Sequence, residues 1–139
     1  EFEQQLNGRG YPCVQFVTRT DPVFTVWRQR FYRGRRKIVP PDIEHFVTPA
    51  SVAVWLMDDG TAERAGVSFQ THSFKRDEVE RLATLLHDRF ELRTSLMRNH
   101  EASIVYVHGS SLEALKALVA PYVLPQFTYK LIPRGTWTP

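Results

Sequence analysis

The stretch Thr48–Gly60, TPASVAVWLMDDG, decides the reading of this chain. Thr48 is a good helix N-cap. Pro49 suits the first helical position, where its missing N–H would have no partner, and Gly60 stops the helix. Between them Val52, Trp55 and Leu56 supply apolar faces at helical spacing. Ala50, Ser51 and Ala53 are small, and small side chains on a short apolar helix let a second helix backbone come close, so this element is expected to pack against a twin. Asp58 and Asp59 fall at the negative end of the helix dipole, where anions are disfavoured. Two explanations fit that ending. A divalent cation would relieve the charge, since Mg²⁺ typically takes one or two carboxylates and completes its shell with water and phosphate. An Asp-Asp-Gly turn that simply leaves the helix would use the same residues.

Downstream, a short arm near Thr61, a turn over Glu63 to Gly66 and a strand Val67 to Thr71 read as a hairpin. From Phe74 to Phe90, Val79, Leu82, Ala83, Leu86 and Phe90 recur at helical spacing, with Asp77 and Glu78 favourably placed in the first turn. Leu92 to Met97 and Ser103 to Val107 alternate as two antiparallel strands around a turn at Asn99, His100 and Glu101. Ser110 and Glu113 have capping-box spacing ahead of Leu112, Leu115, Leu118, Val119 and Tyr122. The resulting order is helix, hairpin, helix, hairpin, helix: an α+β arrangement with helices on one face of a four-stranded sheet.

Upstream, part of this pattern occurs a second time. Val14 to Val17 read as a strand, Asp21 and Pro22 as a helix start, and Val23, Val26, Trp27 and Phe31 as a helix face, in the order seen again from Ile104 to Tyr122. Lys37-Ile38-Val39-Pro40 then matches Lys130-Leu131-Ile132-Pro133, 93 positions later. Residues 1–40 are thus expected to be the strand and helix tail of a first repeat plus a linker, and residues 41–139 a complete second repeat. On this reading the counterparts of Val47 to Asn99 precede residue 1, in a missing N-terminal half, or come from a partner.

The chain has 139 residues with 18 basic and 15 acidic side chains, and six of the basic ones, Arg28, Arg30, Arg33, Arg35, Arg36 and Lys37, lie within ten positions that contain no acid. Without them the balance would be negative, so one segment carries the whole positive excess. Trp27, Phe31 and Tyr32 are interleaved with it, a combination suited to nucleic-acid phosphates; a solvated helix face plus a charged loop is the alternative. Cys13 is the sole cysteine, which excludes an intrachain disulfide and a cysteine zinc site and fits an intracellular, reducing compartment, organellar or microbial. No apolar run is long enough to span a membrane and no signal peptide is visible, so a soluble protein with no membrane partner is expected.

Thr48-Pro49 followed by Ser51 to Gly60 resembles the LAGLIDADG motif of homing endonucleases in its LTP-x-SLA-x-W-x-MDDG form. The resemblance continues through Thr71-His72-Ser73-Phe74, where members usually read Thr-Gln-Ser-Phe, through Pro121-Tyr122, and through Tyr129-Lys130-Leu131. It implies the LAGLIDADG fold, a saddle-shaped antiparallel sheet built from α-ββ-α-ββ-α repeats, with two LAGLIDADG helices paired at its centre across Ala50, Ser51, Ala53, Val54 and Met57. Val54 stands where many members have glycine. The resemblance makes Asp59 the metal-bound catalytic acid, with Asp58 and Gly60 beside it and Mg²⁺, Mn²⁺ or Ca²⁺ as cofactor. Lys130, and Lys37 from the other copy, match the family's basic position near the active site. His72 departs from the usual glutamine, which puts water positioning by that side chain in question. The implied partners are double-stranded DNA and a second repeat, from the missing half, a partner chain or a homodimer. Ser68, Gln70, Arg93, Ser95, Arg98 and His108 are the expected readers of base edges in the major groove. A metal-dependent, site-specific DNA endonuclease is the leading expectation, and an intron-RNA-binding maturase that does not cut is the alternative.

Overall fold

The computed structural model describes residues 3–6, 10, 12–15, 17–99 and 102–135. The chain forms two compact units, Glu1–Arg30 and Phe31–Pro139. In the first, strands β1 (Glu3–Leu6) and β2 (Pro12–Gln15) pair antiparallel with Glu3 opposite Gln15. The expected strand is thus displaced toward the N-terminus: Phe16 lies outside the described residues and Val17 is not in a strand. Helix α1 (Pro22–Phe31) begins where Asp21 Oδ1 accepts the Val23 N–H at 2.8 Å, so the Asp-Pro start works as a cap.

The second unit opens with a tight hairpin, β3 (Tyr32–Arg33) against β4 (Arg36–Lys37), that the basic run concealed. Gly34 turns it with φ of +61°, a conformation glycine adopts without a Cβ penalty. Ile38, Val39 and Pro40 follow and are buried.

Helix α2 (Pro49–Asp59) starts with a capping box in which serine takes the usual glutamate's place. Thr48 Oγ1 accepts from the Ser51 N–H at 3.2 Å and Ser51 Oγ accepts from the Thr48 N–H at 2.7 Å. The helix passes directly into β5 (Gly60–Ala62), which pairs with β6 (Gly66–Phe69). Helix α3 (Arg76–Phe90) starts two residues later than its apolar spacing suggested, because Phe74 donates its N–H to Thr71 O in a preceding turn. Strands β7 (Thr94–Asn99) and β8 (Ala102–His108) form the second hairpin; His100 and Glu101, expected in its turn, lie outside the described residues. Helix α4 (Leu112–Val119) follows a short 3₁₀ turn, and a longer 3₁₀ segment, Pro125–Leu131, carries Lys130.

The proposed Ser110–Glu113 capping box does not form. Ser111 is the N-cap residue and its hydroxyl accepts from the Arg93 N–H at 2.8 Å, whereas Glu113 pairs with Lys116.

The sheet is four-stranded and antiparallel throughout, in the order β5-β6-β8-β7. One face carries Val67, Phe69, Val105 and Val107, which form a single core with Val52, Ala53 and Leu56 of α2, Val79, Leu82 and Leu86 of α3, and Leu115 and Val119 of α4. Burying each of the valine, leucine and phenylalanine side chains contributes roughly 1.5–3 kcal/mol. The opposite face carries a row across all four strands, Thr61, Ser68, Tyr106 and Ser95.

Glu78 fastens the segment after the basic hairpin to this core. The residue is 6% exposed, and its carboxylate accepts from the Val39 N–H at 3.1 Å and the Lys75 N–H at 2.8 Å and meets Arg36 Nη1 at 2.9 Å. Burial alone would raise its pKa, but these hydrogen bonds and the Arg36 charge outweigh it and hold the carboxyl below its ordinary value. Arg81 reinforces the attachment by donating to the carbonyls of Pro40 and Pro41.

Candidate active site and nucleic-acid surface

Asp58 and Asp59 are both exposed at the C-terminal end of α2. They open onto a pocket of about 730 Å³, lined also by Gly60, Thr61, Gln70, Tyr129, Lys130 and Arg134. The chain reverses here in minimal space. A Cβ on Gly60 would lie 2.4 Å from Leu56 O and 3.0 Å from Leu56 Cα, so only glycine lets the helix end turn straight into β5. The Gln70 N–H then donates to Asp59 O at 3.2 Å, which ties the acidic helix end to the end of β6.

Lys130 is buried, and its Nζ donates to Met57 O at 2.7 Å and Asp58 O at 3.1 Å. A cation at that position satisfies carbonyls left open at the helix end and offsets the dipole's negative pole. Its ammonium is also 5.8 Å from the centre of the Phe127 ring. Gln70 reaches into the same pocket: its Nε2 donates to Thr61 Oγ1 at 3.3 Å, while its buried Oε1 has no hydrogen-bond partner.

No cluster of three or more metal-binding side chains occurs among the described residues. Two carboxylates with an unpartnered amide oxygen nearby nevertheless fit a hard cation such as Mg²⁺, whose remaining ligands are normally water and phosphate oxygens.

The residues expected from the sequence divide into several places. Asp59, Asp58, Gly60 and Lys130 come together in this pocket, and so does Gln70, expected instead as a base reader. His72 does not line it: β6 ends at Phe69, and His72 is exposed in another cleft beside Lys75, Arg76 and Arg98. Lys37 is exposed on β4.

Two of the expected helix-pairing residues face elsewhere. Ala53 is fully buried in the chain's own core, and Ser51 caps α2 and faces an apolar groove with Trp55. Ala50, Val54 and Met57, spaced i, i+4, i+7, share the remaining face, where Val54 is 60% exposed.

Among the expected base readers, Ser68 lies on the open face but is fully buried, its hydroxyl donating to Glu63 Oε1 at 2.7 Å. Ser95 and His108 share that side and hydrogen-bond to each other at 2.9 Å, and Arg93 is exposed just before β7. Arg98 falls on the opposite side: it pairs with Ser103 in the register that puts Leu96 beside Val105, and Thr94 of the same side donates to Ala83 O of α3. Of the basic run, Arg28 and Arg30 are on α1, Arg33 and Arg35 are exposed in the hairpin, and Arg36 is engaged by Glu78. Tyr106, between Ser68 and Ser95, and Tyr129, 60% exposed in the acidic pocket, were missed; an aromatic alternating with Val105 and Val107 was the available sign for the former.

A family model described as the LAGLIDADG DNA endonuclease family matches residues 1–115. The intron-encoded endonuclease ai4 of Dictyostelium discoideum is 30% identical over 126 residues, covering 88% of this chain and 79% of that protein. The cytochrome b mRNA maturase bI2 of Saccharomyces cerevisiae is 30% identical over 102 residues, covering 71% of this chain and 24% of that protein. The homing endonuclease I-WcaI, solved bound to its DNA recognition sequence, superposes with a TM-score of 0.77 at 28% identity, covering 95% of this chain and 63% of that one. The chain thus spans about a quarter of the Saccharomyces maturase and less than two thirds of the solved endonuclease.

Proposed function

Since the chain belongs to the LAGLIDADG DNA endonuclease family, we propose that it acts as a site-specific homing endonuclease, hydrolysing phosphodiesters of double-stranded DNA with the help of divalent cations. The observation that carries this reading is the exposed Asp59 carboxylate at the end of α2, in one pocket with Asp58, Gln70 and Lys130. A divalent cation at such a site supplies Lewis-acid stabilisation of the charged phosphate and a more acidic water.

The chain's own groups have separable tasks. Asp59, with Asp58, holds Mg²⁺ or a similar cation at the helix end. Lys130 neutralises the α2 carbonyls behind the carboxylates and holds the helix terminus in place. The unpartnered Gln70 oxygen is an acceptor for a water or a cation ligand. The open face around Tyr106, Ser95 and His108 meets base edges in the major groove, and Arg33, Arg35 and Lys37 meet phosphates.

A single acidic helix serves one strand. The face carrying half-buried Ala50 and Met57 and exposed Val54 is accordingly the seam for a second such helix, from another part of a longer chain, a partner or a second copy.

The test is cleavage of a plasmid pool with random inserts in Mg²⁺, with the cut ends sequenced. Several kcal/mol of transition-state stabilisation resides in the metal site, so Asp59→Asn should lower cleavage at least about a hundredfold while DNA binding survives. The maturase relative supports a second reading, binding of intron RNA without cutting. Intron-RNA binding that is unaffected by Asp59→Asn, with no DNA cleavage by the wild type, would replace the first reading with the second.

A further inference from the structure

The turn between β5 and β6 carries an acid, Glu63, that does not line the acidic pocket. It follows Ala62, so by alternation its side chain shares the open face of the sheet with Thr61. The Ser68 hydroxyl, on that same face, donates to Glu63 Oε1 at 2.7 Å, which fixes the orientation independently. Among the described residues no cation pairs with this half-buried carboxylate, and no hydrogen-bond donor meets its Oε2.

The backbone beneath it is held on both sides. The Glu63 N–H donates to Gly66 O at 2.9 Å, and the Glu63 carbonyl accepts from the Arg134 N–H at 3.0 Å. Gly66, across the turn, has no side chain to cover this part of the face; the Tyr106 hydroxyl lies there, 2.7 Å from where a Cβ would stand. The row continues through His108, the register partner of Gly66, to Arg93, whose carbonyl accepts the His108 N–H at 2.9 Å. The open face thus has an acceptor at the β5 end of this row and a guanidinium at the β7 end.

Duplex DNA is a polyanion, so an unpaired carboxylate turned toward it is unfavourable unless a base supplies a donor. In the major groove cytosine presents its N4 amino group with no acceptor of its own beside it, whereas adenine sets N7 next to N6, and guanine and thymine present acceptors. We propose that Glu63 is a specificity-determining residue that accepts a hydrogen bond from a cytosine amino group through Oε2, with Ser68 holding the carboxylate in place. The proposal rests on the DNA-binding reading given above and narrows it from a face to one base.

The experiment is selection of bound duplexes from a randomised DNA pool, with wild type and Glu63→Gln. Fluorescence anisotropy then compares the selected duplex with one in which the assigned cytosine pair is replaced by a thymine pair. Wild type should enrich cytosine at that position and lose about tenfold in affinity on the replacement, as expected for one base contact. Glu63→Gln keeps an oxygen for the Ser68 hydroxyl, so thermal unfolding should not change. Its amide matches adenine N6 and N7, so the preference at that position alone should vanish or move to adenine. Glu113→Gln, which removes the same charge at a distant exposed site, should alter no position.

A Glu63→Gln variant that unfolds like wild type and keeps the wild-type preference at every position would overturn the assignment while leaving DNA binding intact. Preferences lost at many positions together with weakened unfolding would also overturn it, making Glu63 a support of the hairpin. Wild-type protein that enriches no duplex sequence would overturn the functional reading itself.

Discussion

Replacing Glu78 by alanine removes one carboxylate that serves three donors, and the structure allows its cost to be divided. The Val39 N–H loses its acceptor inside the fold, worth about 1–3 kcal/mol. The Lys75 N–H at the start of α3 loses a capping acceptor, worth about 1 kcal/mol. The Arg36 side chain is 42% exposed, so solvent screening limits that pair to under about 1 kcal/mol. Glu78→Ala should thus destabilise the second unit by about 2–5 kcal/mol, and Glu78→Gln, which retains one oxygen acceptor, by about half as much.

The pH dependence has a definite sign. Because the folded carboxyl titrates below its ordinary value of 4.5, the unfolded chain takes up the proton first as pH falls. The stabilisation is complete above that ordinary value and disappears as pH drops through the folded one. Urea unfolding followed by circular dichroism at neutral pH and at pH values below 4.5 measures both effects. The gap between wild type and Glu78→Ala should narrow on acidification; a cost below about 0.5 kcal/mol, or a gap that does not change with pH, would refute the assignment.

Two further outcomes follow from the acidic helix. Val54→Asp places a charge on a side chain already 60% exposed, so urea unfolding should change by less than about 0.5 kcal/mol, whereas light scattering should show loss of self-association or partner binding if α2 pairs with another helix. Lys130→Met leaves the Met57 and Asp58 carbonyls without their donor and should destabilise the fold by about 1–3 kcal/mol while lowering cleavage; unchanged unfolding would refute the capping role.

The parts that were legible in the sequence are those with two agreeing local signals. Helix α2 had a cap with proline at one end and glycine at the other, and α3 had sustained apolar spacing with acids in its first turn. The two main hairpins were legible from alternation. Face assignments were weaker because adjacent residues on a short helix can point to different neighbours: Ala53 and Val54 exchange core and surface with a single step. The position of the end of β6 likewise decides whether Gln70 or His72 accompanies Asp59, and no side chain near Phe69 announces that ending. Lys130 was recognised by its likeness to a motif, but its bonds to α2 depend on a 3₁₀ segment with no clear periodicity.

The direct handover from α2 to β5 at Gly60 leaves no slack between them. A rotation of the helix about its axis, such as a docking partner would impose, must be taken up by the first strand and passed through the Asp59–Gln70 bond to the second. If a second helix docks on α2, its seating and the strand alignment are expected to move together, and inserting even one flexible residue at this joint should uncouple them while leaving every side chain of the site in the sequence.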